Sequence, residues 1–556
     1  MAVSLPRCVD TVIIGNGPSA LILSYILHGH IPYYIGGHHD AILDQKLSAN
    51  PSLLHLTPDL YAHFLSSLRY STQGLPVNTL LDTLIRPNAD TETNPKSCVE
   101  WRYEPEKAIS HVAIGQTSQP GGQWAESPVS ASADIGTLSY AEQLSLPGYS
   151  YADHLAKSGK GEQCDFVRPS RTEVADYLKA YPDAVEISDT IRTGIRVDNV
   201  YRTVDGFVIG SLGIRCKHLV LASGIFTVNI PPPPLLAPIA QIESREKPLL
   251  VIGSGFSAAD VIISTPPNRK IIHIYQWAPD TRPSPLRGCH HSAYPEYATV
   301  YRQMKLGALS SSKSLSAKSP MLRRKSNPFF KQRDWASLYE GLPNAEVLKV
   351  STSDSTKSAR VTVRLASGEE TTREVGGLAY VVGRRGSLDY LSPDLLAEVL
   401  GSSNEATPDL SPPALISGRT LRAKAESSLE VAKNVFIIGS LAGDSLIRHA
   451  VGGCVFAAGR ILGAIPSTFS PLSSPSRASF TPRSTSPCRL SEAASDTSST
   501  PPAANGSPVI IANGHEDLHL DRRKLSRGVE VANVENRYWV DSGWWAGGLG
   551  PGKPDV

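Results

Sequence analysis

The chain has 556 residues, of which 41% are apolar and 19% charged, and its formal net charge is +2. That length calls for two or three domains with a sizeable core, and the near balance of charge argues against a dedicated nucleic-acid or membrane-surface protein. No uninterrupted apolar run reaches the roughly 18 residues of a membrane span.

In chain order, Val12–Ile14 is the first expected strand, Pro18–Leu27 the first helix and Pro32–Ile35 the second strand, together one βαβ unit. Helix-like stretches follow at Tyr61–Leu68 and Val77–Leu84. A helix is expected over Arg168–Tyr181, opening near Ser170 or Thr172 with Glu173 in its first turn. Val197–Val208 alternates as a hairpin does, and His218–Ser223 reads as a buried strand running into the stiff Pro231–Pro234 exit. A second βαβ unit is expected from Leu249–Ile252, Ser257–Ile263 and Lys270–Tyr275. Val347–Val350, Arg360–Leu365, Gly376–Gly383 and Asn434–Gly439 read as further strands, with a closing helix from about Ser445 to Leu462. The basic stretch Ser310–Lys331 reads as a solvated loop. From residue 465 Ser, Pro, Thr and Ala dominate, a composition that cannot bury enough apolar surface to order itself. The aromatic end, with Tyr538, Trp539, Trp544 and Trp545, reads equally as a docking segment for a protein partner or as part of that tail.

Each βαβ unit carries a glycine-rich turn. The first is Gly15-Asn16-Gly17-Pro18-Ser19-Ala20 and the second Gly253-Ser254-Gly255-Phe256-Ser257-Ala258. Glycines let the backbone approach a pyrophosphate, and the following helix offers unpaired N–H groups. Two such turns in strand–turn–helix context imply two dinucleotides, a flavin near the N-terminus and a nicotinamide in the middle. The acid that usually grips the adenosine ribose is missing after Pro32–Ile35, leaving Asp40, His38 or backbone to hold it. After the second strand of the second unit come Gln276 and Trp277, with Arg282 and Arg287 beyond. The missing acid there favours the 2′-phosphate of NADPH, and Trp277 is either an adenine platform or a packed aromatic.

Gly121, Gly122 and Trp124 form a candidate wall for the isoalloxazine ring, since glycines admit a flat ring and the indole offers a stacking face. Gly443 and Asp444 follow a buried strand, and Asp444 is a candidate for the ribityl chain or a helix N-cap. The seven cysteines, Cys8, Cys98, Cys164, Cys216, Cys289, Cys454 and Cys488, show no C-x-x-C spacing. They read as free thiols in a reducing, cytoplasmic compartment, and the His38-His39 pair has no partners that would make a metal site.

The stretches between the turns are similar to the oxidative stress-induced growth inhibitor family, within the two-dinucleotide flavoproteins that include flavin-containing and N-hydroxylating monooxygenases. The resemblance runs through Pro76–Pro87, Cys98–Trp101, His111–Gly115 into Pro120–Gly122, Thr137–Ser139, Leu146–Gly148, Arg171, Tyr294–Tyr297, Gly439–Asp444, Arg448 and Gly452-Gly453. It covers about residues 8 to 463. It implies an α/β fold in which an NADPH-binding Rossmann-like domain is inserted into an FAD-binding one. The expected domains are residues 8–245 and 346–464 for FAD, 246–345 for NAD(P)H, and a disordered tail over 465–556.

The expected activity is that of an FAD- and NADPH-dependent monooxygenase, passing one oxygen atom from a flavin C4a-(hydro)peroxide to a small organic substrate. The F-x-G-x-x-x-H-x-x-x-(Y/F/W) string of Baeyer–Villiger and N-oxygenating enzymes is absent, so the kind of oxygenation stays open. A flavin reductase without oxygen insertion and a non-catalytic, FAD-bound regulatory protein are the alternatives. The residues single out no catalytic side chain.

Overall fold

The computed structural model describes residues 5–56, 74–87, 96–159, 161, 166–311, 329, 332–353, 357–401 and 415–463. The expected helix Tyr61–Leu68, most of the basic stretch, Cys164, Cys488, the tail and its aromatic end lie outside them. Among the described residues no helix is long and apolar enough to cross a membrane.

The first sheet has six strands in the order Glu430–Ala432, Val435–Ile437, His218–Leu221, Thr11–Ile14, His111–Ile114, Ile191–Arg192. The last five run parallel. Parallel strands are covered on both faces, which is why Thr-Val-Ile-Ile is buried throughout. The Pro18–Leu27 helix starts with proline at its first position, where a missing N–H costs nothing, and packs against the Val451–Ile461 helix. That second helix is buried along its whole length. It lies close to the Pro76–Ile85 helix, with Gly453 N donating to Asn78 Oδ1 at 2.6 Å.

One expectation is corrected here. The segment expected as the second strand of the first unit forms His30–Tyr34, but it leaves the sheet and pairs antiparallel with Val99–Tyr103 in a two-stranded ribbon. Pro32 has no N–H to give a central ladder, so an edge ribbon suits it. The place beside Thr11–Ile14 is taken by His111–Ile114, with Thr11 opposite His111 and Ile14 opposite Ile114.

The second sheet has four parallel strands, Tyr339–Pro343, Ile271–Tyr275, Leu249–Ile252 and Leu378–Tyr380. An antiparallel meander of Glu346–Ser353, Ser358–Arg364 and Glu370–Val375 leads into the last of them. Leu378 pairs with Leu250 and Tyr380 with Ile252. The second unit therefore extends past the boundary expected at residue 345, because the chain must come back from the meander to complete the sheet.

The two crossings between the units are tied to each other. Val228–Asn229, on the way out, pairs antiparallel with Arg385 and Arg384 on the way back. The expected hairpin is Val200–Thr203 with Gly206–Ile209, joined by a third strand, Ile214–Cys216. The Arg171–Ala184 helix opens on a reciprocal cap, Ser170 Oγ accepting from Glu173 N and Glu173 Oε2 from Ser170 N. The final helix begins at Val451 rather than near Ser445. Arg448, in the turn before it, is held by the buried Asp82 at 2.6 Å, and Arg86 at 2.9 Å shares that carboxylate.

Candidate dinucleotide sites

A cavity of about 600 Å3 opens at the end of the first glycine turn. It draws together Gly15, Gly17, Pro18 and Ser19, then Gly121, Gly122 and Trp124, then Gly439, Ser440 and Asp444. Gly15 sits at φ +132, and a side chain there would overlap the carbonyl of Ala222 on the neighbouring strand. Gly121 N donates to Asn16 O at 2.8 Å, and a Cβ on Gly122 would lie 3.1 Å from Gly17 Cα. The two glycine elements thus press together by backbone alone. The first-turn N–H groups of the helix receive no side-chain cap from Gly17. Ala20 and Gly443 are not in the lining: Ala20 is fully buried, and Gly443 makes a left-handed turn against Gly418.

The ribose question moves with the corrected strand. After His111–Ile114 come Gly115 and Gln116, so no acid stands at that tip either. A Cβ on Gly115 would overlap the Asn16 side chain. Asn16 Nδ2 reaches Thr117 O and Gln119 O at 3.3 Å, and Thr117 Oγ1 donates to Asn16 Oδ1 at 2.8 Å. The amide of Asn16 occupies the space an acidic side chain would need. Asp40 instead caps the Ala41–Ala49 helix through Ile42 N and Leu43 N. His38 accepts from Asp40 N at 3.1 Å. Neither residue is in the lining.

Asp444 is buried, and both its oxygens hold protein donors. Oδ2 accepts from Leu75 N and Asn78 Nδ2, each at 2.7 Å, and Oδ1 from Arg422 Nη1 at 2.7 Å. Its neighbour Ser445, which sequence reasoning passed over, also lines the cavity, and its hydroxyl is buried without a hydrogen-bond partner. No signal in the sequence separates the two. Tyr390 and Ser223 join by a 2.9 Å bond in the same lining.

At the second turn Gly253 is at φ +152, packed where a side chain would overlap Val381 O. Ser254 to Ser257 are half-buried, and Gly255 leaves the Phe256–Ser264 helix without a side-chain cap. Ala258 is buried against Gly253, and Phe256 meets the Tyr297 ring edge-on. The Gly253 carbonyl accepts from His273 Nε2 at 2.7 Å, and His273 Nδ1 lies 2.8 Å from Tyr339 Oη. A carbonyl only accepts, so Nε2 carries the proton and Nδ1 receives that of Tyr339. Complete burial pushes His273 down to about 4, so it stays neutral. After the strand, Gln276 N donates to Ser254 Oγ at 3.0 Å, and a bridge between Ala278 and Arg282 turns Arg282 back. Its Nη1 then lies 3.5 Å from Gln276 Oε1, placing a guanidinium at the strand tip. Arg287 bonds Pro279 O, and Trp277 packs on Tyr301 with ring centres 5.7 Å apart.

Between the units, Arg384 Nη1 donates to Gln123 Oε1 at 3.3 Å, and the guanidinium lies 4.6 Å over the Phe226 ring. Asp260, on the helix of the second turn, accepts from Tyr297 Oη at 2.7 Å. Burial pushes its carboxyl up to about 6, against the opposing pull of that bond, Arg384 and Arg171. Tyr294 and Tyr297 are packed under Arg168, which bonds Ala293 O and Glu296. They belong to the seam between the units. Among the described residues no group of His, Cys, Asp and Glu could hold a metal ion, and Cys8, Cys98, Cys216, Cys289 and Cys454 are free.

No family model matches the chain. Oxidative stress-induced growth inhibitor 1 of Mus musculus is 25% identical over 496 residues, which span 82% of this chain and 95% of the mouse protein. Oxidative stress-induced growth inhibitor 2 of Homo sapiens is 25% identical over 501 residues, 80% of this chain and 91% of the human protein. Among solved structures, a flavin-containing monooxygenase from Stenotrophomonas maltophilia superposes with a TM-score of 0.42 at 15% identity, covering 82% of this chain and 98% of that one. Bacillithiol disulfide reductase from Staphylococcus aureus gives 0.42 at 11% identity, covering 83% and 99%. By sequence, this chain is similar to the oxidative stress-induced growth inhibitors over most of its length, and its fold is α/β, with two mainly parallel sheets.

Proposed function

We propose that this chain is an FAD- and NADPH-dependent oxidoreductase of the monooxygenase type, acting with molecular oxygen on a small organic substrate. The observation that carries the reading is the convergence of three remote segments, Gly15–Ser19, Gly121–Trp124 and Gly439–Ser445, on one cavity of about 600 Å3. A dinucleotide fits there on physical grounds. Gly15 stands where a Cβ would collide with the Ala222 carbonyl, Gly17 leaves the space beside it open, the helix N–H groups after it have no side-chain cap, and the Ser445 hydroxyl lacks a partner.

FAD would be held by Gly15, Gly17, Pro18 and Ser19 at the diphosphate, by Gly121, Gly122 and Trp124 beside the ring, and by Ser445. NADPH would be held by Gly253, Gly255, Phe256 and Ser257, with Arg282 on the 2′-phosphate. Bound there, these cofactors supply hydride transfer and oxygen activation. The chain's own residues orient and enclose them. His273 fixes the second turn, Arg384 ties the second crossing to Gln123 in the ring wall, and the packed seam at Arg168, Tyr294 and Tyr297 keeps water out. We assign residues 8–245 and 381–464 to the FAD unit and 246–380 to the NADPH unit.

The test is the absorbance of purified protein before and after NADPH in air, followed by mass analysis of products made under heavy oxygen. Yellow protein, NADPH consumption and one incorporated oxygen atom support the reading. Turnover without incorporation leaves a reductase, bound FAD without turnover leaves a regulatory protein, and colourless protein that takes up no FAD ends the proposal.

A further inference from the structure

The ribbon of His30–Tyr34 and Val99–Tyr103 has two strands, so each keeps an outer edge. The ends fix its ladder: Glu104 N donates to Gly29 O at 2.7 Å, and Ile35 N to Cys98 O at 2.9 Å. Antiparallel ladders alternate, so Glu100 and Arg102 turn their backbone groups inward, to Tyr33 and Ile31. Val99, Trp101 and Tyr103 turn theirs outward. On the His30–Tyr34 strand, Tyr34 N is taken by Pro51 O at 2.7 Å, and Pro32 has no N–H. On the other edge Ser97 Oγ serves Val99, accepting from its N at 3.0 Å and donating to its O at 3.1 Å. Among the described residues no hydrogen bond serves the backbone of Trp101 or Tyr103. Such an edge is a template for a further strand.

The side chains select the strand that fits. Glu100 and Arg102 share one face of the strand, half-exposed, and meet each other at 2.6 Å. Tyr103 is exposed beside them. We propose that the outer edge of Val99–Tyr103 pairs antiparallel with the same edge of a second copy of this chain, across a twofold axis at Trp101. Trp101 of each copy then exchanges both backbone bonds with its counterpart. Glu100 stands opposite Arg102 of the second copy, and Arg102 opposite its Glu100, at non-hydrogen-bonded positions where side chains come closest. Outward residues must meet outward residues, so the neighbouring registers set Arg102 against Arg102 or Glu100 against Glu100. Like charges directly opposite disfavour both. The exposed Glu100–Arg102 pair within one copy is worth little, so exchanging it for two pairs between copies costs little. The lining of the cavity at the first glycine turn contains none of these residues, so the pairing leaves that cavity open.

The test is sedimentation velocity of the full chain from about 1 to about 100 µM, a range that brackets weak self-association. The expected result is a monomer–dimer equilibrium. Glu100→Arg and Arg102→Glu each set like charges opposite one another at both crossings and weaken it about tenfold. The double variant, Glu100→Arg with Arg102→Glu, restores it. Residue-resolved amide exchange gives a reading that needs no variant: the Trp101 and Tyr103 amides slow as concentration rises, while those of Glu100 and Arg102, bonded within the ribbon, stay constant. A chain that remains monomeric through that range, a dimer indifferent to the single variants, or one that leaves the Trp101 amide unprotected overturns the proposal. If the single variants fail to fold, the amide reading decides.

Discussion

Gly115 and Asn16 exclude each other's alternatives: a side chain on Gly115 would overlap the Asn16 amide, which is itself bonded to the 117–119 loop. The tip of the His111–Ile114 strand therefore carries neither an acid nor room for one. Gly115→Ala is expected to expel Asn16 and destabilise the fold by about 1–3 kcal/mol, the usual cost of overpacking. FAD affinity should fall with it. Chemical denaturation and flavin-fluorescence titration check both, and an unchanged Gly115→Glu protein would show that the space is open after all.

Asp444 and Ser445 separate structural from ligand-facing roles. Asp444→Asn breaks a buried ion pair with Arg422 and disturbs two further donors, a loss of about 3–5 kcal/mol. Ser445→Ala removes a hydroxyl that has no protein partner, so stability should stay level. FAD binding should weaken by about 0.5–1.5 kcal/mol, or roughly 2- to 12-fold. Thermal melts of the apoprotein and flavin titration distinguish the two.

Asp260 predicts an unusual pH dependence. Its carboxyl is raised from 3.8 to about 6. The folded state then binds more protons than the unfolded one between those values, so this group's contribution falls as pH rises through the window. Asp260→Asn keeps an acceptor for Tyr297 and removes the charge. It should raise the melting temperature at pH 8 and leave it nearly unchanged at pH 4.

His273 and His111 act in the opposite direction. Burial lowers both from 6.5 to about 4. Their contribution is complete above pH 6.5 and is lost as pH falls toward 4, because the unfolded chain takes the proton first. His273→Phe leaves Gly253 O unpaired, at a cost of about 1–3 kcal/mol. It should weaken NADPH binding more than FAD binding, and the acid limb of the stability profile should flatten.

Arg282 tests the choice of nicotinamide. Arg282→Ala should raise KM for NADPH about tenfold and leave KM for NADH unchanged, the loss expected of one charged hydrogen bond of about 1.5 kcal/mol. Equal effects on both cofactors would place Arg282 away from the 2′-phosphate.

Local signals carried much of this. Proline after a glycine turn set the start of the Pro18–Leu27 helix, and Ser170 with Glu173 set that of the Arg171–Ala184 helix, because each depends on residues a few positions apart. The pairing of Thr11–Ile14 with His111–Ile114 was not legible: Pro32–Ile35 has the right apolar character at the right distance, and only the completed sheet rejects it. For the same reason the return of Leu378–Tyr380 to the second sheet escaped the boundary expected at residue 345. Asp444 attracted notice as a charged residue at a strand end, whereas Ser445 gained interest only once the donors around Asp444 had been counted.

The paired crossings, Val228–Asn229 against Arg384–Arg385, make a strap of two strands out of what would otherwise be two independent linkers. A double strap resists being pulled apart or bent one strand at a time, and yields most readily to twisting about its own length. Any motion of the second sheet against the first is therefore expected to be a swivel on this strap, and Arg384, sitting in the strap while bonded to Gln123, would feel each turn of it.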